Sequence, residues 1–198
     1  MMQNLKILAL ILVLFQAHKA YGFVSPIGLS VVPPVQLPKE NFAVAGIRLD
    51  LIWGIQQNVY GIDVGTLVNS TLQNSVGIQA VGGMNLNRGN TTIIGLQVAG
   101  IANINIGKTY LFGIQAGLYN ENKGESFGYG VQVGAINLCD HMKLVGLELG
   151  LYNKAFEVYG FQIGLINSVE DLHGIQIGLL NFNNRGLFAV APILNIGF

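Results

Sequence analysis

The sequence predicts an all-β fold, and two observations carry that prediction. A short motif, glycine–apolar–glutamine–apolar–glycine–apolar–apolar–asparagine, recurs along the chain, so that apolar residues alternate with small or polar ones. Alternation with a period of two is typical of β-strands, whereas helices repeat about every 3.6 residues. Glycine accounts for 27 of the 198 residues and charged residues for only 10%, which is typical of a glycine-rich β structure with much apolar surface.

The first 22 residues have the pattern of a secretory signal peptide. Lys6 gives a positive start, residues 7–17 are mostly apolar, and the small residues Ala20 and Gly22 precede a cleavage site that we place after Gly22. The apolar run is too short to cross a bilayer, which needs about 20 residues. We therefore expect an exported chain that resides in the cell envelope, in the outer membrane or at the cell surface.

Two segments follow the signal peptide. Residues 23–42 are predicted to be an extended segment that adds a strand or lies inside the fold as a plug. Residues 43–198 are predicted to form one repeat domain, in which motif copies from Gly61 to Gly174 begin 14 to 18 residues apart. Successive side chains of a strand point to opposite faces, so one face of each copy is apolar and the other holds glycine and a central polar residue.

The central polar residue of each copy marks the second face. The ten polar residues assigned to this face are Arg48, Asp50, Asp63, Gln79, Gln97, Gln115, Gln132, Glu148, Gln162 and Gln176. In the copy at residues 159–167, the same alternation places Leu165 and Asn167 on the apolar face and Ile166 on the polar face. Charged side chains are costly in lipid, so the polar face is expected to line a lumen or to face water.

Two architectures fit these strands. The first is a closed antiparallel transmembrane β-barrel of about ten short-looped strands, with the apolar face toward lipid and the polar face toward the lumen. A hairpin in this barrel would bring Arg48 and Asp63 within diagonal reach of each other. The second is a β-solenoid of 14–18-residue coils, in which the apolar face is the core and equivalent asparagines stack at a corner.

The sequence contains little that points to chemistry. Cys139, Asp140 and His141 form a local grouping with nucleophile and metal-ligand types, but a zinc site needs about four ligands, and a cysteine–histidine dyad needs an orienting partner. We therefore predict no catalytic or metal-binding residues, no cofactor and no enzymatic activity. Ten basic and ten acidic residues leave no positive excess, so nucleic acid is not expected as a partner.

The sequences that flank the repeats, taken with the repeats themselves, resemble those of a known protein family. They are PPVQLP from Pro33, the pattern glycine–apolar–arginine–apolar–aspartate at Gly46, and PILNIGF from Pro192. Together with the tandem motif, over residues 32–198, they make the chain resemble a family of Gram-negative bacterial surface-repeat proteins that carry a signal peptide. The resemblance implies exposure at the cell envelope or surface, and it brings no activity and no catalytic residues.

The carboxy-terminal segment resembles the last strand of bacterial outer-membrane barrels. Alternate apolar residues lie on one face and end at an aromatic terminus: Phe188, Val190, Leu194, Ile196 and Phe198. This resemblance implies that Phe198 is a membrane-assembly signal, and that the lipid bilayer and the barrel-assembly machinery are partners.

The function hypotheses follow from a repetitive scaffold without catalytic groups. We expect a non-catalytic structural or interaction protein of the outer membrane or cell surface. A small passive pore is one alternative, because the polar face of a barrel would line its lumen. A secreted β-solenoid adhesin or carbohydrate binder is the alternative if the strands coil. The sequence does not specify the ligand.

Overall fold

The computed structural model describes residues 23–198, which form β-strands joined by short turns. The predicted signal peptide, residues 1–22, lies outside the described residues. The strands are β1 (Val24–Val32), β2 (Val35–Leu37), β3 (Ala43–Asp50), β4 (Trp53–Gly65), β5 (Val68–Val81), β6 (Met84–Asn87), β7 (Asn90–Ala99), β8 (Ala102–Asn105), β9 (Thr109–Ala116), β10 (Tyr119–Asn122), β11 (Ser126–Val133), β12 (Ile136–Leu149), β13 (Tyr152–Ile163), β14 (Ile166–Asn183) and β15 (Val190–Gly197). The predicted all-β class is confirmed.

Most neighbouring strands are parallel, and each motif copy pairs with the next copy in register. Gly113, Gly130, Gly146, Gly160 and Gly174 lie opposite one another in successive strands. The chain therefore coils as a β-solenoid of about ten turns, the alternative given above, and the prediction of an antiparallel barrel is wrong. The segments expected to be hairpin turns are instead parts of a coil that returns the chain to the same end, as parallel pairing requires.

One coil consists of two strands and two corners. The glutamine strand carries a residue such as Gln162 in β13, and the asparagine strand carries a residue such as Asn167 in β14. Leu165 and Ile166 lie at the first corner and are both exposed, whereas residues 170–171 form the second corner. We call the first the leucine corner, after the exposed residues that most coils place there: Leu51, Leu67, Ile101, Leu118, Leu151, Leu165 and Leu179. Gly83 and Ala135 occupy this corner in two further coils.

The leucine corner changes which face is buried. Because Leu165 and Ile166 both point outward, the alternation restarts there, and Asn167 points into the coil. Gln162 and Asn167 are both fully buried, whereas Ile163 is 38% exposed. The solenoid expected from the sequence had an apolar core and a polar exterior. That assignment is wrong, since the glutamine face forms the interior and the apolar face forms the exterior.

A smaller apolar cluster completes the interior beside the amide side chains. Its buried members are Ile93, Leu111, Cys139, Met142, Leu144, Ala155, Val158, Val169 and Leu172. They come from both the glutamine strands and the asparagine strands, so they pack the two walls of the coil against each other.

A column of nine stacked glycines holds a backbone conformation that other residues rarely adopt, with φ between 94° and 154°. A Cβ added to Gly130 would overlap the carbonyl oxygen of Gly113, and one added to Gly174 would overlap that of Gly160. At these positions glycine is therefore required by both conformation and close approach.

Different strands close the two ends of the solenoid. At the amino-terminal end, β1 pairs parallel with β3, and β2 folds back antiparallel on β1, so both strands of residues 23–42 belong to the stack. At the other end, β15 pairs antiparallel with β14. The rod thus has parallel coils in its body and a reversed strand at each end.

Candidate functional site

Glutamines of successive coils form a ladder inside the solenoid. Parallel pairing places Gln97 opposite Gln115, and Gln115 opposite Gln132. The Nε2 of Gln115 donates to the Oε1 of Gln97 at 2.7 Å, and the Nε2 of Gln97 donates to the Oε1 of Gln79 at 2.7 Å. These side chains are buried, and the hydrogen bonds offset the cost of removing their amides from water.

A second ladder runs through the asparagine strands. Each Nδ2 donates to the Oδ1 of the next coil at 2.8 Å, along Asn85, Asn103, Asn120, Asn137, Asn153, Asn167 and Asn181. A shorter row, at Asn87, Asn105 and Asn122, lies between the two ladders. This row is hydrogen-bonded to the glutamine ladder, since Asn122 donates to the Oε1 of Gln115 at 3.0 Å. Side-chain amides therefore hold coil to coil along much of the rod.

Arg48 forms a buried ion pair at the polar position of its coil. Asp63 lies directly opposite in the neighbouring parallel strand, and its carboxylate accepts hydrogen bonds from Nε at 2.7 Å and from Nη2 at 2.6 Å. Arg48 also donates through Nη1 to the backbone oxygen of Ser70. The structure brings the two charges together through parallel strands, so the hairpin expected from the sequence is wrong.

Asp50 is the third charge of this cluster. Its Oδ2 lies 3.1 Å from the Nε of Arg48, yet neither carboxylate oxygen has a hydrogen-bond partner among the described residues. The carboxylate of Asp50 occupies the space beside Gly54. Gly54 in turn lies opposite Asn69 of the next coil. Burial raises the pKa of Asp50 to about 7; the charge of Arg48 opposes this rise and that of Asp63 adds to it.

Glu148 interrupts the glutamine ladder. It lies between Gln132 and Gln162 in register, and it is fully buried. The Nε2 of Gln162 donates to its Oε2 at 2.7 Å, whereas its Oε1 has no partner within residues 23–198. Burial raises the pKa of Glu148 to about 7, and the hydrogen bond from Gln162 opposes that rise. In its protonated form, Glu148 is neutral and carries a donor, as the glutamines of the ladder do.

The grouping of Cys139, Asp140 and His141 is split by the corner of its coil. Cys139 is fully buried, whereas Asp140 and His141 are exposed. Burial, with a contribution from the charge of Glu148, raises the pKa of the Cys139 thiol to about 12. Asp140 forms an ion pair with Lys154 at 2.7 Å. The three side chains therefore do not converge on one point.

Phe198 follows the end of β15 and is fully exposed. Its strand does not close a barrel. It pairs instead with β14 at the end of the stack.

The exterior of the glutamine strands carries an apolar surface, which is the face that the barrel hypothesis directed toward lipid. The two residues that flank each buried polar position point outward and are uncharged: Ile47, Leu49, Ile62, Val64, Ile78, Ala80, Leu96, Val98, Ile114, Ala116, Val131, Val133, Leu147, Leu149, Phe161, Ile163, Ile175 and Ile177. Together with the leucine corner, they form what we call the apolar band. The leucine corner was not predicted, and the signal for it was the pair of adjacent apolar residues between Gly164 and Asn167, which breaks the alternation.

The opposite edge of the coil carries the charges. Apart from the four buried charges, the charged side chains of residues 23–198 lie at or next to the second corner: Lys39, Glu40, Arg88, Lys108, Glu121, Lys123, Glu125, Asp140, Lys143, Lys154, Glu157, Glu170, Asp171 and Arg185. We call this edge the charged corner. Seven of these residues are basic and seven are acidic, and ion pairs such as Lys108–Glu125, at 2.9 Å, join neighbouring coils.

Comparison of the chain with protein-family models, with curated proteins and with solved structures gives no match. Within the described part of the chain, no helix is both long and apolar enough to cross a membrane. The same residues contain no group of three or more His, Cys, Asp or Glu side chains that could hold a metal ion. The apolar band, on the outer surface of the coil, is the candidate functional site.

Proposed function

We propose that this protein is an exported, non-catalytic β-solenoid of the bacterial cell surface, which acts as an adhesin-like interaction protein. The observation that carries the proposal is the apolar band. Monomeric soluble proteins rarely expose contiguous apolar patches larger than a few hundred Å², and larger ones mark interaction sites. Export rests on the signal-peptide pattern of residues 1–22.

The interior of the coil supports this role for the outer surface. The amide ladders and the apolar cluster fill the coil, so the polar residues that the barrel hypothesis assigned to a lumen instead hold the coils together. A passive pore draws no support from this packing. Successive coils present equivalent outward-facing residues in regular rows. Contacts that repeat along such a scaffold strengthen binding through multivalency.

The proposal is tested by adsorption of the purified chain to a quartz-crystal sensor with a methyl-terminated surface. We expect adsorption to this surface and little to a hydroxyl-terminated one. The variant Ile114→Asp/Ile177→Asp, changed at two exposed positions of the band, should adsorb at least tenfold less. The matched control, Lys108→Gln/Glu125→Gln at the charged corner, should adsorb as wild type does. Equal adsorption of all three proteins to the methyl surface would refute the proposal.

Carbohydrate binding is a second candidate, favoured by a cluster of exposed rings. Phe112 and Tyr129 lie opposite each other on neighbouring coils and are 46% and 62% exposed. Lys143 lies opposite Phe127 in the next strand, and its Nζ lies 4.3 Å from the ring centre of a third aromatic residue, Tyr159. Aromatic faces pack against the apolar faces of sugars. Glycan-array binding that is lost in Tyr129→Ala, with adsorption to the methyl surface unchanged, would support this candidate.

A further inference from the structure

The apolar band is convex, and this shape restricts what can cover it. The band occupies the outward side of the glutamine strands and turns through the leucine corner, whose tips are 49% to 66% exposed. Apolar exposure continues onto the asparagine strands, where Ile136, Ile166 and Leu180 are 39%, 37% and 43% exposed. A flat protein surface, such as the same band of a second copy, covers one side of a corner only. Lipid acyl chains cover an apolar surface of any shape.

Amphipathic aromatic residues border this apolar surface on both sides. Tyr129 and Tyr159 lie in one outward row of the glutamine strands, next to the charged corner, and the Nζ of Lys143 lies 4.3 Å from the ring centre of Tyr159. Tyr119 and Tyr152 lie in one outward row of the asparagine strands. Tyrosine is enriched at membrane–water interfaces, because its ring is apolar and its hydroxyl is polar.

We propose that the apolar band binds a lipid bilayer, with the leucine corner among the acyl chains and the charged corner in water. This inference rests on the proposed function and names its partner. Residues of the charged corner lie along the length of the rod, from Lys39 to Arg185, so an upright rod would place charged residues in the hydrocarbon, at high cost. The rod therefore lies flat on one leaflet. Immersion by about 5–10 Å, as in other interfacial proteins, is sufficient.

The charges of the protein predict which lipids it binds. The charged corner faces away from the membrane in this orientation, and its basic and acidic residues balance. Burial of apolar surface then drives binding, so neutral phosphatidylcholine vesicles should suffice. Anionic lipid and salt between 50 mM and 500 mM should change the affinity by less than about twofold, unlike the binding of polybasic proteins.

Trp53 is the single tryptophan of the chain, and it serves as a native probe. It is 39% exposed and lies beside the leucine corner at the start of β4. With phosphatidylcholine vesicles, its emission should shift to the blue. Quenching should be stronger with lipids brominated near the headgroup than with lipids brominated near the chain end. Flotation of the purified full chain with the vesicles measures the affinity.

A pair of matched variants separates membrane contact from folding. Leu118→Arg/Leu151→Arg adds two charges at the leucine corner, whereas His141→Arg/Asn184→Arg adds the same two at the charged corner. All four positions are exposed, so circular dichroism and thermal unfolding should match wild type in both. We expect at least a tenfold loss of flotation for the first variant and less than a twofold change for the second.

Three results would overturn the inference. One is failure of the wild-type chain to float with neutral vesicles, and another is unchanged flotation of Leu118→Arg/Leu151→Arg. The third is a dimer in solution that this variant dissociates, which would assign the band to a second copy. Adsorption to the methyl surface without vesicle binding would refute the lipid partner and leave the proposed function intact. Binding to neither would refute both.

Discussion

Arg48 and Asp63 lie opposite each other in consecutive coils and form a bidentate pair, with Nη2 of the arginine 2.6 Å from Oδ2 of the aspartate. Gln79 continues the row, and its Nε2 donates to Asp63 at 3.2 Å. The ion pair is therefore a charged step of the glutamine ladder, since parallel register places one polar side chain per coil in the same column. Two buried charges that neutralise each other are tolerated, whereas one alone is costly.

The first prediction concerns this pair. Arg48→Gln should lower the free energy of unfolding by about 3–5 kcal/mol, because it leaves Asp50 and Asp63 buried without a cation. Asp63→Gln should cost less, because Asp50 still neutralises the arginine. The double variant should be more stable than Arg48→Gln alone, because two glutamines extend the ladder. Urea unfolding measures all three, and strictly additive effects would show that the two residues are not coupled.

The second prediction concerns pH and Glu148. The pKa of this carboxyl is about 7 in the folded chain, above its ordinary value of 4.5, so the folded state retains a proton that the unfolded state releases. The contribution of Glu148 to stability should be greatest below about pH 4.5 and should fall as the pH rises through 7. A shift of this size corresponds to a loss of about 3 kcal/mol. Asp50, whose pKa is also raised to about 7, acts in the same direction.

Glu148→Gln isolates the contribution of this group. The variant completes the glutamine ladder, so it should be more stable than wild type at about pH 8 and similar at about pH 4.5. Glu125→Gln, at a fully exposed site of the charged corner, is the control and should leave the decline with pH in place. Chemical unfolding across this pH range provides the measurement. The assignment fails if the wild-type profile is flat or if Glu148→Gln declines as wild type does.

The third prediction separates two reasons for the glycine column. Gly95 has a φ of 94°, but an added Cβ would meet only Ile78 Cγ1, at 3.8 Å. Gly95→Ala should therefore cost about 1–3 kcal/mol from backbone strain alone. Gly130→Ala adds an overlap with the carbonyl oxygen of Gly113, so it should cost clearly more or prevent folding. Thermal unfolding compares the two variants, and equal losses would mean that the close approach of the coils is unimportant.

The fourth prediction tests which face is inside. Ile114 is 42% exposed, whereas its neighbour Gln115 is fully buried. In aqueous buffer, Ile114→Arg should change stability by less than about 0.5 kcal/mol. Gln115→Arg should cost more than about 3 kcal/mol, because it buries an unpaired charge. A larger loss for Ile114→Arg would instead support the solenoid expected from the sequence, with an apolar core and a polar exterior.

The strands themselves were predictable from the alternation around Gln162. It places Phe161 and Gln162 on opposite faces of a strand, as the structure does. The direction of the partner strand was not predictable, because the same alternation serves parallel and antiparallel pairs. Only the register of β13 and β14, in which Gly160 lies opposite Gly174, distinguishes a coil from a hairpin.

Prediction of the leucine corner and of the buried asparagine depended on two residues, Leu165 and Ile166, which lie between the motif positions Gly164 and Asn167. Treating residues 159–167 as one strand put Asn167 on the side of Phe161. The corner at Leu165 and Ile166 shifts the alternation by one residue, and with it the location of the asparagine. Burial of so many amides was also hard to foresee, since each is costly without a partner. Parallel register supplies that partner from the equivalent residue of the next coil.

The reversed strand β15 interrupts the parallel stacking of the coils. Stacked asparagine and glutamine ladders also hold amyloid fibrils together, and there identical segments add without limit. Here the last strand runs against β14, and it contains Pro192, which has no N–H to donate to a further strand. To continue the stack, a parallel coil from another molecule would need an end strand that runs in the same direction and that offers all of its N–H donors. β15 provides neither. The chain therefore combines the stacked amide ladders of a fibril with an end strand that is a poor template for further parallel coils.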